Sequence, residues 1–417
     1  MLVSVAIAVS AGATLPHETL YSPVQCEGSL TPYPERVNAT QTPDTLIPVY
    51  ISHVGRHGSR YPASPAHCRK LQEALENARE IGTITKLGLE LLELTQNVIE
   101  ASNGRWGALD SLGMAEQRAI ATRMMRTFAP VFKEGTHIEA VSSYSPRAMM
   151  SMYSFVHQLD RMNNKLEFTT GTGRRFSYLL RPFDTDETYL AYRDEALWKG
   201  PYDEVYDKIC PLTAITRILG RDYPFGDTEK ARDLAITEYY VLAGLQAMQF
   251  PAQMKKYFTA DEMNALWSCF NLRQYLQYSA STVSSAPADI ASALVLDIIA
   301  KVDEALEKPD ETAKVNLRFG HAETIMPLVA LLRLGGCYYL TNYFDTVASH
   351  WQDFSIVPMA ANLQFIIFRH TKSGKYFLRV DLNEQPVPLI PNDNRIYIPW
   401  GEARRYMTDC VPIYAQL

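Results

Sequence analysis

Only six cysteines occur in this 417-residue chain, Cys26, Cys68, Cys210, Cys269, Cys337 and Cys410, and no two form a C-x-x-C pair. That spacing excludes a zinc ribbon and a thioredoxin-like dithiol. An excess of positive charge is also missing: the net charge is -6 and the pI about 5.9. A general nucleic-acid surface is therefore excluded, and any basic site must be a local concentration of charge within an acidic protein. Long apolar runs are absent beyond the first residues, since stretches such as TIMPLVALLRLGG are broken by Arg333. No integral membrane segment is expected. No repeat or low-complexity block occurs, and no G-x-S-x-G elbow of a serine hydrolase.

What is present is a chain 47% hydrophobic, enough to bury a large core. Residues 1–13 carry an apolar, uncharged stretch ending in an A-x-A pattern at Ala11 and Ala13. It is too short to span a bilayer and, although it lacks a positive start, reads as an export segment to a periplasm, the exterior or a secretory lumen. In such a compartment the cysteines could form up to three disulfides whose pairing the sequence leaves open. Buried free thiols are the other reading. The sequon Asn38-Ala39-Thr40 matters only in a eukaryotic secretory pathway.

Five segments follow from the patterning. Residues 1–13 are the export segment and 14–45 a Pro-, Ser- and Thr-rich arm. Residues 46–179 and 311–417 alternate strands with helices, and 180–310 is a mostly helical insertion. Strands are expected from Leu46, over 137–143 and 314–319, and over 363–368 and 376–380 with a hairpin turn at Lys372–Lys375. Helices are expected over 65–100, from near Gly113 to near Pro130, from Pro146 to about Leu159, and over 229–250 before Pro251. The fold class is α/β, with a largely parallel central sheet sandwiched by helices and interrupted by the helical insertion.

Two strand-to-turn junctions, VYISHVGRHGSR and KVNLRFGHAE, each place a histidine beside glycine directly after a buried strand. Ligands of open α/β sheets bind beyond the carboxyl ends of the strands, so both histidines are expected to face one crevice. His53 and His57 have the i, i+4 spacing of a metal pair, but Gly55 and Gly58 oppose a helix there and no glutamate follows His53. No metal and no cofactor is expected. Phosphoryl transfer to histidine fits better. The guanidinium groups of Arg56, Arg60 and a third arginine can pair the oxygens of a phosphate monoester. A neutral His57 can then attack phosphorus in line. Glu323, close behind the second histidine, can protonate the leaving alkoxide and afterwards activate water.

At these residues the chain resembles a known family. Arg56-His57-Gly58-Ser59-Arg60-Tyr61-Pro62 matches the R-H-G-x-R-x-P signature of the histidine acid phosphatases, within the phosphoglycerate-mutase-like superfamily. A chance match in a chain of this length is on the order of one in ten thousand. LDSLGMAEQ (109–117) is similar to that family's L-T-x-x-G-x-x-Q segment, departing from it at Asp110 and around Glu116 and Gln117. SSYSPRAMMS (142–151) is similar to its arginine-bearing segment. His321-Ala322-Glu323, in place of the usual His-Asp pair, resembles the multiple inositol-polyphosphate phosphatases, as does YLLRPFDTDETYLAY (178–192). The resemblance implies His57 as nucleophile, Glu323 as proton donor, and Arg56, Arg60, Arg147 and His321 as the phosphate cradle. It also implies a metal-independent, exported, monomeric phosphatase of inositol polyphosphates, a phytase. A broad acid phosphatase for sugar phosphates or phosphoglycerates, and a non-catalytic phosphate binder, are the alternatives. Lys70, Arg174, Arg175, Arg181 and Arg318 are candidates to widen the basic pocket; Asn38, His53 and His350 carry no assignment.

Overall fold

Strand β1, Leu46–Arg56, is buried from Tyr50 onward, as expected of a strand covered on both faces. The computed structural model describes residues 20–35 and 40–416, so the export segment and Asn38 lie outside the described residues. Around β1 the sheet adds β2 (His137–Ser142), β3 (Glu167–Thr172), β4 (Val315–Gly320), β5 (Asn362–His370), β6 (Tyr376–Leu382), β7 (Gln385–Val387) and β8 (Ile398–Pro399). Their order is β3-β2-β4-β1-β5-β6-β7, with β8 beside β6. The first four are parallel, whereas every pairing from β1/β5 onward is antiparallel.

The α/β class with helices flanking a central sheet is as expected, but the sheet is mixed rather than largely parallel. Part of the reason is local. Residues 371–375 are too few for a crossover, and they fold as a turn in which His370 N–H donates to Lys375 O at 2.8 Å. That hairpin, expected from the sequence, makes β6 antiparallel to β5, and β5 itself pairs antiparallel with β1, which the sequence did not show.

Alternation along β1 divides the core. Ile51 packs with Met124, Phe128, Met152 and Phe155 from helices Ser111–Thr127 and Pro146–Met162 on one face. Tyr50 and Val54 pack with Ile298, Ile325 and Val329 from helices Ser292–Glu307 and Ala322–Leu331 on the other.

Only helices lie between β3 and β4. Their packing starts earlier in the chain than the 180–310 stretch singled out by composition. Leu71 and Leu75 of helix Ala66–Glu80, and Leu91 of helix Lys86–Ser102, share one core with Ile215, Ile218, Tyr239 and Trp267. Helix ends also differ slightly from expectation. The helix expected to begin near Gly113 starts at Ser111, because Asp110 accepts from Leu112 N–H at 2.8 Å as its cap. The 229–250 segment is helix only over Thr228–Ala243, breaking at Gly244 well before Pro251.

The arm is tied down from residue 20. It forms a short 3-10 turn, Gln25–Leu30, in which Ser29 N–H donates to the buried Asp353 carboxylate at 2.7 Å. All six cysteines are free thiols, five of them buried. Among the described residues no helix is long and apolar enough to cross a membrane.

Candidate active site

Register brings the two histidine junctions together. In the parallel β1/β4 pair, Gly55 sits opposite Phe319 and Arg56 opposite Gly320, so His57 and His321 leave the sheet side by side. His57 N–H donates to Gly320 O at 3.1 Å, and the two imidazole centroids are 5.6 Å apart. On the far side of β4, Ser142 of β2 lies opposite Phe319, and Ser143 N–H donates to Phe319 O at 3.0 Å. The chain then turns into helix Pro146–Met162, whose second residue is Arg147. Three neighbouring strands thus deliver Arg147, His321 and Arg56-His57 to one end of the sheet. Helices Pro146–Met162 and Ala322–Leu331 begin there, and helix N-termini favour anions.

His57 is 3% exposed. Its Nδ1 lies 2.9 Å from Gly58 O, and since a carbonyl oxygen only accepts, the ring proton sits on Nδ1. The Nε2 lone pair is thereby left free. Burial first, and then Arg147, Arg56, Arg60 and His321, hold the imidazole well below its ordinary pKa of 6.5, so it is neutral.

The arginines are costly without an anion. Arg56 is buried and donates to Ser29 O and Val357 O, while Arg60 donates to Tyr61 O at 2.9 Å. The Nε atoms of Arg56, Arg60 and Arg147 are buried without a hydrogen-bond partner, and none of the three forms a salt bridge among the described residues. Burial lowers the Arg60 guanidinium to about 9, with Arg147 and Arg56 adding to the effect, and lowers Arg56 to about 10 against partial support from Glu323. Arg147 is lowered too, by burial, with Glu323 again opposing. Glu323, half-buried in the first turn of its helix, is the carboxylate that Arg56, Arg60 and Arg147 all sense. An excess of buried positive charge around a neutral, unhindered imidazole nitrogen is a site built for a small polyanion.

His321 is 1% exposed, and its Nε2 lies 2.8 Å from Arg181 Nη1 and 3.0 Å from Ser143 Oγ. Arginine only donates, so Nε2 accepts here and the imidazole is neutral. Arg181 is therefore part of the cluster, anchored in turn by Asp184 at 2.6 Å. The other basic candidates are engaged elsewhere. Arg318 bonds Asp297 and Ser52, Lys70 pairs with Asp233, and Arg174 and Arg175 lie over the rings of Tyr144 and Phe176. His53 packs between Phe155 and Phe319 with both nitrogens unpartnered, and His350 stacks on Tyr339. Among the described residues no three His, Cys, Asp or Glu side chains gather as they would around a metal ion.

A layer of positioning residues lies behind the loop, and the sequence showed it only as departures from a motif. Glu116 accepts from Ser59 N–H and Ser59 O–H, both at 2.7 Å, and Gln117 donates to Arg56 O at 2.9 Å. Ser151 accepts from Gly58 N–H at 3.1 Å. Ser29 O, which fixes Arg56, comes from the arm that composition marks only as irregular.

Glycine is required where the loop meets helix Ser111–Thr127. A Cβ on Gly113 would lie 2.3 Å from Ser59 O, and one on Gly58 would lie 2.4 Å from Gly113 O. Both obstacles are backbone and cannot swing aside. Gly113→Ala is expected to cost about 1–3 kcal/mol in stability. By displacing Ser59 and its neighbours it should also cut kcat/KM by about tenfold or more. Thermal unfolding and steady-state kinetics check this, and wild-type values for both would refute the role of the contact.

The profile of the histidine phosphatase superfamily (branch 2) matches residues 193–383, which include His321 and Glu323. Multiple inositol polyphosphate phosphatase 1 of Homo sapiens is 25% identical over 416 residues, covering 88% of this chain and 80% of that protein. The Gallus gallus protein of the same name is 22% identical, covering 89% and 84%. Among solved structures, the multiple inositol polyphosphate phosphatase of Bifidobacterium longum, in complex with inositol hexasulfate, superposes with a TM-score of 0.78 at 17% identity, covering 93% of this chain and 99% of that one. The phytase from D. castellii gives 0.73 at 16% identity, covering 94% and 86%. In fold, in its paired histidine junctions and in the profile match over residues 193–383, the chain is similar to branch 2 of the histidine phosphatase superfamily and to enzymes of the histidine acid phosphatase type.

Proposed function

We propose that this protein is an exported phosphomonoesterase that hydrolyses inositol polyphosphates such as inositol hexakisphosphate through a phosphohistidine on His57. The observation that carries the reading is the free Nε2 of a neutral His57 beside three arginines whose Nε atoms are buried without a partner and which form no salt bridge among the described residues. A phosphoryl group entering the cluster supplies the missing negative charge, and its oxygens are shared among Arg56, Arg60, Arg147 and His321. Nε2 forms a bond to phosphorus as the P–O bond of the ester breaks, and the leaving alkoxide takes a proton from Glu323. Glu323, now a carboxylate, removes a proton from water. The water oxygen attacks phosphorus, the N–P bond breaks, and inorganic phosphate and neutral His57 are restored. No metal or cofactor enters either step.

The substrate class rests on the H-A-E sequence and on the relatives, which are called multiple inositol polyphosphate phosphatases. Export rests on the apolar start of the chain, and we take the enzyme to act as a monomer with a helical cap formed chiefly by residues 180–310. The test is phosphate release from inositol hexakisphosphate, an aryl phosphate and a sugar phosphate with a chelator present. Release from all three is expected. Release from the small esters alone would move the substrate to the broad acid-phosphatase reading, and release from none would leave a binding protein.

A further inference from the structure

The segment before β5 runs along the back of the nucleophile loop. Arg56 N–H donates to Ala361 O at 2.7 Å, and Ala360 N–H donates to His57 O at 3.0 Å. At its start lies Asp353, fully buried in the short helix Asp353–Ile356. Its carboxylate accepts from Ser29 N–H at 2.7 Å and from Trp267 Nε1–H at 2.9 Å. Burial pushes the carboxyl up to about 6, so at neutral pH it is an anion.

That anion reaches Arg56 through the arm. Ser29 is held by Asp353 on its N–H side, and its carbonyl accepts from Arg56 Nη1. The same Nη1 donates to Val357 O, and Val357 N–H donates to Asp353 O at 2.8 Å. One helical turn therefore grips the guanidinium twice, directly through the Val357 carbonyl and indirectly through the Asp353 carboxylate and Ser29. Both N–H groups of Nη1 are used, which fixes the plane of the guanidinium and leaves Nε and Nη2 for an anion; Nε is buried without a partner.

The surroundings hold Asp353 in place. Asn271 accepts from Asp353 N–H at 2.9 Å. Gly28, at a φ of 60°, lets the arm approach, since a Cβ there would lie 2.8 Å from Asp353 Oδ2 and 3.0 Å from the Phe270 ring. Burial lowers the Arg56 guanidinium, and Glu323 and then Asp353 are the carboxylates that oppose it. In the reaction above Glu323 gives up and regains a proton, so only Asp353 stays charged throughout.

We propose that Asp353 is a positioning residue for phosphoryl transfer, fixing the Arg56 guanidinium through the main chain of Ser29 so that its free donors meet the phosphoryl oxygens in the geometry of the transition state. This rests on the phosphomonoesterase reading above.

Asp353→Asn keeps the shape of the side chain, removes its charge, and cannot accept from both N–H donors at once. Its effect is measured in two backgrounds, Arg56 and Arg56→Gln, on an aryl phosphate at neutral pH. Calorimetric titration with inorganic phosphate counts the competent molecules, so that kcat is expressed per phosphate-binding site. With Arg56 present, Asp353→Asn should lower kcat about tenfold or more. The phosphate Kd should not weaken, because the guanidinium charges remain and an anion behind them is removed. With Arg56→Gln, the same substitution should change kcat less than about twofold, since a residue that acts through Arg56 has nothing left to position. Equal factors in the two backgrounds would reveal a general structural role and overturn the proposal, as would an undiminished kcat with Arg56 present. If Asp353→Asn does not fold, Gly28→Ala presses on the same carboxylate with every charge kept, and the same pair of outcomes decides. Wild-type enzyme that binds phosphate but hydrolyses no phosphomonoester would instead refute the phosphomonoesterase reading, and the positioning role with it.

Discussion

Replacing His57 with alanine is expected to reduce turnover about ten-thousandfold or more on every phosphomonoester, because the covalent step has no other nucleophile of suitable geometry. Phosphate affinity should change little, since Arg56, Arg60 and Arg147 carry the attraction and removal of a neutral imidazole leaves their charge intact. Steady-state kinetics and calorimetric phosphate titration separate the two effects. Turnover near the wild-type rate would sink the mechanism, and joint loss of turnover and phosphate binding would show that His57 mainly supports the cradle. The pH profile gives a further check. The imidazole is held well below 6.5, so protonation does not remove the nucleophile as pH falls through 6.5. In the free enzyme kcat/KM should therefore show no His57 inflection at that pH and persist into the acid range.

Glu323→Gln is expected to act unequally across substrates. Glutamine keeps the size and one carbonyl oxygen of the side chain, but its amide carries no proton acidic enough to transfer. Esters with poor leaving groups, inositol phosphates among them, should lose about a hundred- to ten-thousandfold in kcat. An aryl phosphate leaves as a stabilised phenolate, so its first step should be nearly intact and a burst of phenol should precede slow hydrolysis of the phosphoenzyme. Rapid-quench kinetics on the two substrate types decides the matter. Equal losses with no burst would remove Glu323 as the acid. Loss of the electrostatic support that Glu323 gives Arg56, Arg60 and Arg147 acts in the same direction on both substrates. A common loss is therefore superimposed on the difference, and the ratio between substrates is the quantity to read.

The α/β class, the positions of the main strands and helices and the two histidine junctions were legible in the sequence. Each is a local signal: a buried strand reads as an apolar run, and Arg56-His57-Gly58 breaks such a run with charge that no core tolerates unpaired. Helix ends were legible to within a few residues, the misses falling where a cap such as Asp110 or a glycine such as Gly244 outweighed the periodicity. The β5–β6 hairpin was legible in the turn at Lys372–Lys375, whereas the antiparallel pairing of β5 with β1, between strands far apart in the chain, was not.

What the sequence by itself determined is the chemistry available: a nucleophile, guanidinium groups and an acid, each marked by residue type and by its place at the end of a strand. Tertiary structure decided which of them meet. The insertion of β4 between β1 and β2 sets His57, His321 and Arg147 beside one another although they are far apart in the chain. The same long-range packing separates the basic residues. Arg318 is neutralised by Asp297, whereas Arg181 reaches His321. Nothing local distinguishes these two arginines. Their roles follow from the nearest carboxylate and the depth of burial, and both are properties of the folded chain alone.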